Sequence, residues 1–279
     1  MTIPALNFPV LNPSPVAWRR LLLLLLVAVS LATGTVRAEQ WQLVWSDEFN
    51  YSGLPDPTKW DYEEGFVRNG ESQYYTRARL ANARVEDGHL TIECRKENFT
   101  PPNHAPVAYT AASLITLHKE AWQSGRIEVR AKLPRGQGVW PAIWTLGTNI
   151  TQVGWPACGE IDIMEFVGKE TNNVHGTVHY AVDGQHQADS GTMRTAKPYE
   201  DFHTYAIEWT PDRIDFFFDQ EKYHTVPTAK AGAPGENPFC KPHYLLINFA
   251  LGGSWGGPID DTVLPQQYQI DYVRVYQKQ

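Results

Sequence analysis

The segment Gly159-Glu160-Ile161-Asp162-Ile163-Met164-Glu165-Phe166 sets three carboxylates into a stretch that otherwise reads as a buried strand. Side chains alternate between the two faces of a strand, so Glu160 and Asp162 share one face while Ile161 and Ile163 turn toward an apolar layer. Strict alternation would send Glu165 to that apolar side. One extra residue, a β-bulge near Ile163 or Met164, returns Glu165 to the face of the other two acids, and bulges are over-represented beside active sites. A solvated edge strand with scattered acids is the plainer alternative. Trp140, Trp144 and Trp155 precede the segment, and acids beside indole rings suit sugar chemistry: flat rings stack on pyranose faces, and paired acids cleave an acetal.

The elements that must position these acids read as strands from residue 39 onward, with no long helical period. Gly125 to Leu133 alternates Ile127, Val129, Ala131 and Leu133 against Glu128, Arg130 and Lys132, as a half-buried strand should. Tyr205 to Trp209 is followed by the turn Thr210-Pro211-Asp212 and by Ile214 to Phe218. Asp219-Gln220 then turns the chain back into Lys222 to Val226 as a hairpin. Further strands are expected at His243 to Ala250 and Gln269 to Tyr276. Asn98 to Ala108 and Thr228 to Pro238, with their prolines and glycines, are expected as loops. Many short strands separated by turn residues favour a β-sandwich or barrel over an α/β plan.

The chain has 279 residues, which fits one large all-β domain with a sizeable core. Arg19 and Arg20, the apolar run Leu21 to Ala32 and the small or short residues of Val36-Arg37-Ala38 read as an export signal, so residues 1–38 are expected to be removed and 39–279 to form the single catalytic domain. The apolar run is shorter than the roughly 20 residues that span a bilayer, which disfavours an uncleaved anchor. The expected location is secreted or periplasmic, without stable membrane association. Removing the three arginines of that segment leaves 21 basic against 31 acidic residues, a net charge of −10. Such a surface argues against nucleic acid as a partner and weakly disfavours a sulfated polysaccharide. Cys94, Cys158 and Cys240 are too few for a disulfide framework and form no C-x-x-C pair. Export permits one bridge, the pair is not chosen by spacing, and Cys94 within Leu90-Thr91-Ile92 is expected as a buried thiol. The strand-like Ile270 to Tyr276 near the end predicts no appended binding module, and a monomer is expected.

At Gly159 to Phe166 the sequence resembles glycoside hydrolase family 16. The similarity continues through Trp45 to Phe49, Asn69 to Thr76, Gly125 to Leu146, His175 to Tyr180, Phe202 to Trp209, Leu251 to Gly257 and Asp271 to Tyr276, in the family's order. The resemblance implies a concanavalin A-like jelly-roll β-sandwich of two bent antiparallel sheets with a concave cleft. The extra residue before the last Glu resembles the laminarinase, agarase and carrageenase branches, and the flanking segments resemble laminarinases most. Carried over, Glu160 matches the nucleophile, Asp162 the helper carboxylate and Glu165 the general acid/base of a retaining glycosidase. Asp162, crowded between the two, is placed to hydrogen-bond Glu160 and to keep Glu165 protonated by like-charge repulsion.

The same resemblance matches Trp140, Trp144 and His179 to substrate contacts. Core packing is the competing reading for Trp140 and Trp144, and a satisfied structural histidine for His179. Trp255, within Gly252 to Gly257, is expected as a loop-borne contact because a flexible glycine loop buries an indole poorly. Asn69 matches a substrate-binding asparagine, but Gly70 follows where laminarinases usually carry a second one. No cofactor is expected for catalysis. Glu48, Gly88 and Asp271 match the ligand positions of a structural calcium. The expected activity is endo-β-1,3-glucan or mixed-linkage glucan hydrolysis; an agarase-like hydrolase, a transglycosylase or a glucan-binding protein without activity are the alternatives.

Overall fold

The computed structural model describes residues 40–279. The expected export signal and its cleavage point lie outside the described residues. Strands are numbered along the chain and fall into two sheets. The first, of ten strands, runs in the order β15 (Glu221–Pro227), β14 (Arg213–Phe218), β13 (His203–Trp209), β8 (Gly125–Lys132), β17 (Gln266–Lys278), β5 (His89–Phe99), β6 (Val107–Ala111) and β3 (Tyr74–Tyr75). Two more flank it, β1 (Trp41–Asp47) on β17 and β4 (Ala83–Glu86) on β5. The second has seven: β12 (Gln185–Arg194), β11 (Asn173–Val182), β10 (Glu160–Glu165), β9 (Val139–Gly147), β16 (His243–Leu251), β7 (Ser113–Ile115) and β2 (Asp61–Tyr62). Pairing is antiparallel throughout except between β3 and β6. This is the jelly-roll β-sandwich that the strand pattern and the resemblance led one to expect.

Burial follows the alternation. In β8, Ile127, Val129 and Ala131 are buried while Arg126, Glu128, Arg130 and Lys132 are half-buried, because one face meets the core between the sheets and the other meets water. β9 and β16 are buried at every position. As central strands of the seven-stranded sheet they carry one face into the core, through residues such as Ile143, Ile247 and Phe249. The opposite face, through Trp140, Ala142 and Trp144, floors a cleft.

The hairpin expected at Asp219-Gln220 joins β14 to β15, with Asp219 at a positive φ of 52°. Two segments are more ordered than expected. Thr228–Ala231 forms a short 3-10 helix inside the anticipated loop. Gly253–Gly256 forms a single helical turn, α2, which follows the short helix α1 (Ile150–Val153) in the chain. The glycine stretch is tied down rather than flexible, since Gly252 N–H donates to Gly138 O at 2.7 Å and Ser254 N–H to Asn69 O at 2.9 Å. Cys94, Cys158 and Cys240 are all free, Cys94 within the core as anticipated.

Candidate active site

β10 lies between β9 and β11, and its register locates the irregularity. Against β9, Asp162 faces Trp144 while Met164 already faces Ile143; against β11, Asp162 faces Thr177 and Glu165 faces His175. Ile163 is therefore the extra residue. It and Met164 both sink into the core, and Glu165 emerges on the side of Glu160 and Asp162. The turn into β10 requires Gly159: φ is +78°, and a Cβ would stand 2.6 Å from Cβ of Pro238.

The three carboxylates line a cavity of about 480 Å³, within the range of small-ligand sites. Each acid has a fixed donor or neighbour. Trp140 Nε1 donates to Glu165 Oε1 at 3.0 Å, and Trp155 Nε1 donates to Glu160 Oε2 at 2.8 Å. His179 Nε2 lies 3.2 Å from Asp162 Oδ2. Burial is the main reason that all three acids hold protons more tightly than usual, because a charged carboxylate loses its hydration there. Glu165 is pushed up to about 7, with the Trp140 hydrogen bond opposing the shift. Glu160 is pushed up to about 8, the neighbouring Asp162 adding to burial while His179 and Trp155 oppose it. Asp162, the most deeply buried, is held well above its ordinary range, with the charge of Glu165 adding to burial. Glu160 and Asp162 share a hydrogen bond, so a proton taken up there belongs to the pair.

The tryptophans divide. Trp140 and Trp144 both line the cleft yet are buried, which joins the two readings weighed from sequence. Trp144 Nε1 donates to Asn248 Oδ1 at 2.7 Å, and the Arg68 guanidinium sits 4.8 Å from its ring centre. Trp155 is the open one, 50% exposed at the cleft edge. Trp255 does not line the cavity. It packs edge-on against Trp140 at 5.6 Å and against His175 at 5.0 Å, held there by the anchored helical turn. Asn69 lines the cleft with its amide on Glu71 Oε1 at 3.2 Å, and the following Gly70 has φ +62°, a turn position that suits glycine.

Several cleft residues escaped sequence reasoning: Arg68, Glu71, Tyr244 and Asn248, with Trp155 noted only as context. Glu71 is a buried acid that accepts from Gln73 Nε2 at 2.7 Å and Tyr75 Oη at 3.1 Å, and burial raises its pKa. The acid in Asn69-Gly70-Glu71 was a signal in plain view. Arg68, paired with Glu63, carried none.

Glu48, Gly88 and Asp271 belong to the other sheet and its turns, away from the acids. Glu48 does not fit as a side-chain ligand for calcium, because both its oxygens are held by Arg274 at 3.0 and 2.7 Å. Arg130 holds Oδ2 of Asp271. An ion there would be left with Oδ1 of Asp271 and main-chain carbonyls such as that of Gly88, which suit a hard cation but supply little charge.

Comparison with known proteins agrees with this geometry. The sequence profile of "Glycosyl hydrolases family 16" matches residues 70–274. A β-glucanase of Rhodothermus marinus is 47% identical over 252 residues, covering 86% of this chain and 86% of its own. The crystal structure of the laminarinase from Rhodothermus marinus superposes with a TM-score of 0.79 at 46% identity, covering 87% of this chain and 100% of that one. The laminarinase catalytic domain of Thermotoga maritima gives 0.77 at 41% identity, covering 86% and 100%.

Proposed function

This chain belongs to glycosyl hydrolases family 16, and from that membership we propose that it is an exported laminarinase-type endo-β-1,3-glucanase, acting on laminarin-like or mixed-linkage β-glucan with net retention. The observation that carries the reading is the bulge at Ile163, which turns Glu165 onto the face of Glu160 in a tryptophan-lined cleft. Opposite them on β9 stand Leu146 and Ala142, four residues apart. At about 3.3 Å per residue the two Cα atoms are roughly 13 Å apart. Each carboxyl reaches roughly 3.5–4 Å from its Cα, so side chains leaning together leave about 5–6 Å, the separation of a retaining pair.

In the proposed cycle ionised Glu160 attacks the anomeric carbon while Glu165 gives its proton to the departing glycosidic oxygen, producing a glycosyl ester on Glu160. Glu165 then takes a proton from water, which opens the ester and restores the β configuration. Attack needs Glu160 ionised in spite of its raised pKa. Both acids are shifted upward and share their protons as a pair; in the reacting microstate the shared proton sits on Asp162, whose hydrogen bond to Glu160 stabilises the nucleophile's charge. Two carboxyls and water suffice for this reaction, without a cofactor.

Reducing-end release from laminarin, lichenan, agarose and xyloglucan tests the substrate. Laminarin should be cut fastest and internally; cleavage of agarose without cleavage of laminarin would refute the proposal. Proton NMR of the first product should show the β anomer, and an initial α anomer would refute retention. Sequencing the exported protein should find an N-terminus near Glu39, and an intact Met1 outside the cell would refute signal removal.

A further inference from the structure

The β11–β12 hairpin brings a second histidine to the acids. Val182 pairs with Gln185 across Asp183-Gly184, whose φ values of 51° and 72° are those of a tight two-residue hairpin turn. That turn fixes the register: His179 pairs with Ala188 and Ala181 with His186, so His186 is the diagonal neighbour of His179 on the same face. His186 Nε2 lies 2.9 Å from His179 Nδ1, and the two rings stack with centres 5.1 Å apart. On its other side His186 packs against Trp155, ring centres 4.7 Å apart. One exposed residue thus touches both His179, which faces Asp162, and Trp155, which donates to Glu160.

We propose that His186 is a positioning residue for the proposed reaction, holding His179 and Trp155 in place as the donors that stabilise the ionised Glu160–Asp162 pair. The inference rests on the glucanase reading above. A nitrogen–nitrogen contact of 2.9 Å leaves room for one proton between the rings. If His186 supplies it, His179 accepts at Nδ1 and carries its own proton at Nε2, toward Asp162. The opposite tautomer would turn an Nε2 lone pair toward the oxygen lone pairs of Asp162. Asp162 Oδ2 is buried without a hydrogen-bond partner, and His179 Nε2 stands 3.2 Å from it. The imidazole of His179 is thus the group placed to serve that oxygen, and His186 limits how far its ring can turn away.

Other charges face the pair as well. Glu165 stands on the same strand, and Glu63, Arg68, Glu71 and Tyr244 line the same cleft. None of these touches His186, so replacing it changes only the two donors. Both His179 and Trp155 favour the charged form of Glu160. Loosening them raises the pH at which the pair ionises.

The test compares pH profiles of kcat/KM on laminarin for wild type, His186→Ala, His186→Phe and His186→Gln. The acidic limb should move up by about half to one pH unit in His186→Ala, a three- to tenfold loss below the limb and little change above it. His186→Phe, which keeps the packing on Trp155, should show a smaller movement, and His186→Gln, whose amide can donate to Nδ1, should move back toward wild type. Melting temperatures should agree among all four, since His186 is exposed. A limb that stays put in both His186→Ala and His186→Phe overturns the proposal, and so does a loss that is equal at every pH. Nitrogen-15 NMR of histidine-labelled wild type needs no turnover: His179 protonated at Nε2 supports the proposal, and protonation at Nδ1 overturns it. A wild type inactive on laminarin would instead count against the glucanase reading.

Discussion

Replacing Glu165 by Gln should stabilise the protein at alkaline pH while disabling it. The amide keeps the size of the side chain and an oxygen that accepts from Trp140 Nε1, so packing is unchanged. What is removed is the cost of a buried charge. Glu165 titrates at about 7 in the folded protein against an ordinary 4.5. Its folded value is raised, so below pH 4.5 it is protonated in both states and contributes no penalty. Between 4.5 and 7 the unfolded chain releases a proton that the native state keeps, and stability falls as pH rises. Above 7 the full penalty is present. At 1.36 kcal/mol per pH unit the penalty is at most about 3 kcal/mol. Glu165 keeps some contact with water and shares its shift with Glu160 and Asp162, which brings it to about 1–2 kcal/mol. For a domain of this size that is about 2–8 °C in melting temperature. Thermal unfolding from pH 4 to pH 8 should show the Gln variant equal to wild type at pH 4 and higher by those degrees at pH 8. A difference that does not grow with pH, or a variant that melts lower at pH 8, would refute the assignment of a strained, buried acid.

Trp144→Ala should lower both stability and affinity, because the indole is buried under Arg68 and satisfies Asn248; truncation of such a residue costs about 3–5 kcal/mol. Trp155→Ala, at an exposed ring, should weaken laminarin binding and leave the melting temperature near wild type, and equal melting temperatures for the two variants would contradict this division. Deleting Ile163 should leave measurable activity, since a regular strand also puts the third acid on the face of Glu160 and Asp162. Deleting Ile163 and Met164 together turns that acid into the core and should abolish activity; if the single deletion folds and is equally dead, the alternation argument fails.

The parts of this molecule that were legible in its sequence are those governed by period-two alternation. β8 and the acid strand declare their faces within a few residues, because each position's burial depends on its immediate neighbours in the strand. The bulge was legible for a sharper reason: a third carboxylate fell on the apolar face, and the conflict between chemistry and alternation has one inexpensive resolution, an extra residue between Asp162 and Glu165. What stayed hidden depends on contacts between distant segments. Arg68 covers Trp144 from a loop 76 positions earlier, so an indole expected to offer its face to sugar is largely committed to the protein. Trp255 looked free because its glycines permit motion, and it is held because Asn69 and Gly138 supply the partners for that backbone. His186 required the hairpin register, which a two-residue turn determines but which no pattern of side chains around His179 announces. Chemistry-bearing residues were therefore readable where they break a local rule. Those that steady them obey every local rule, and only the assembled sheet brings them to the acids.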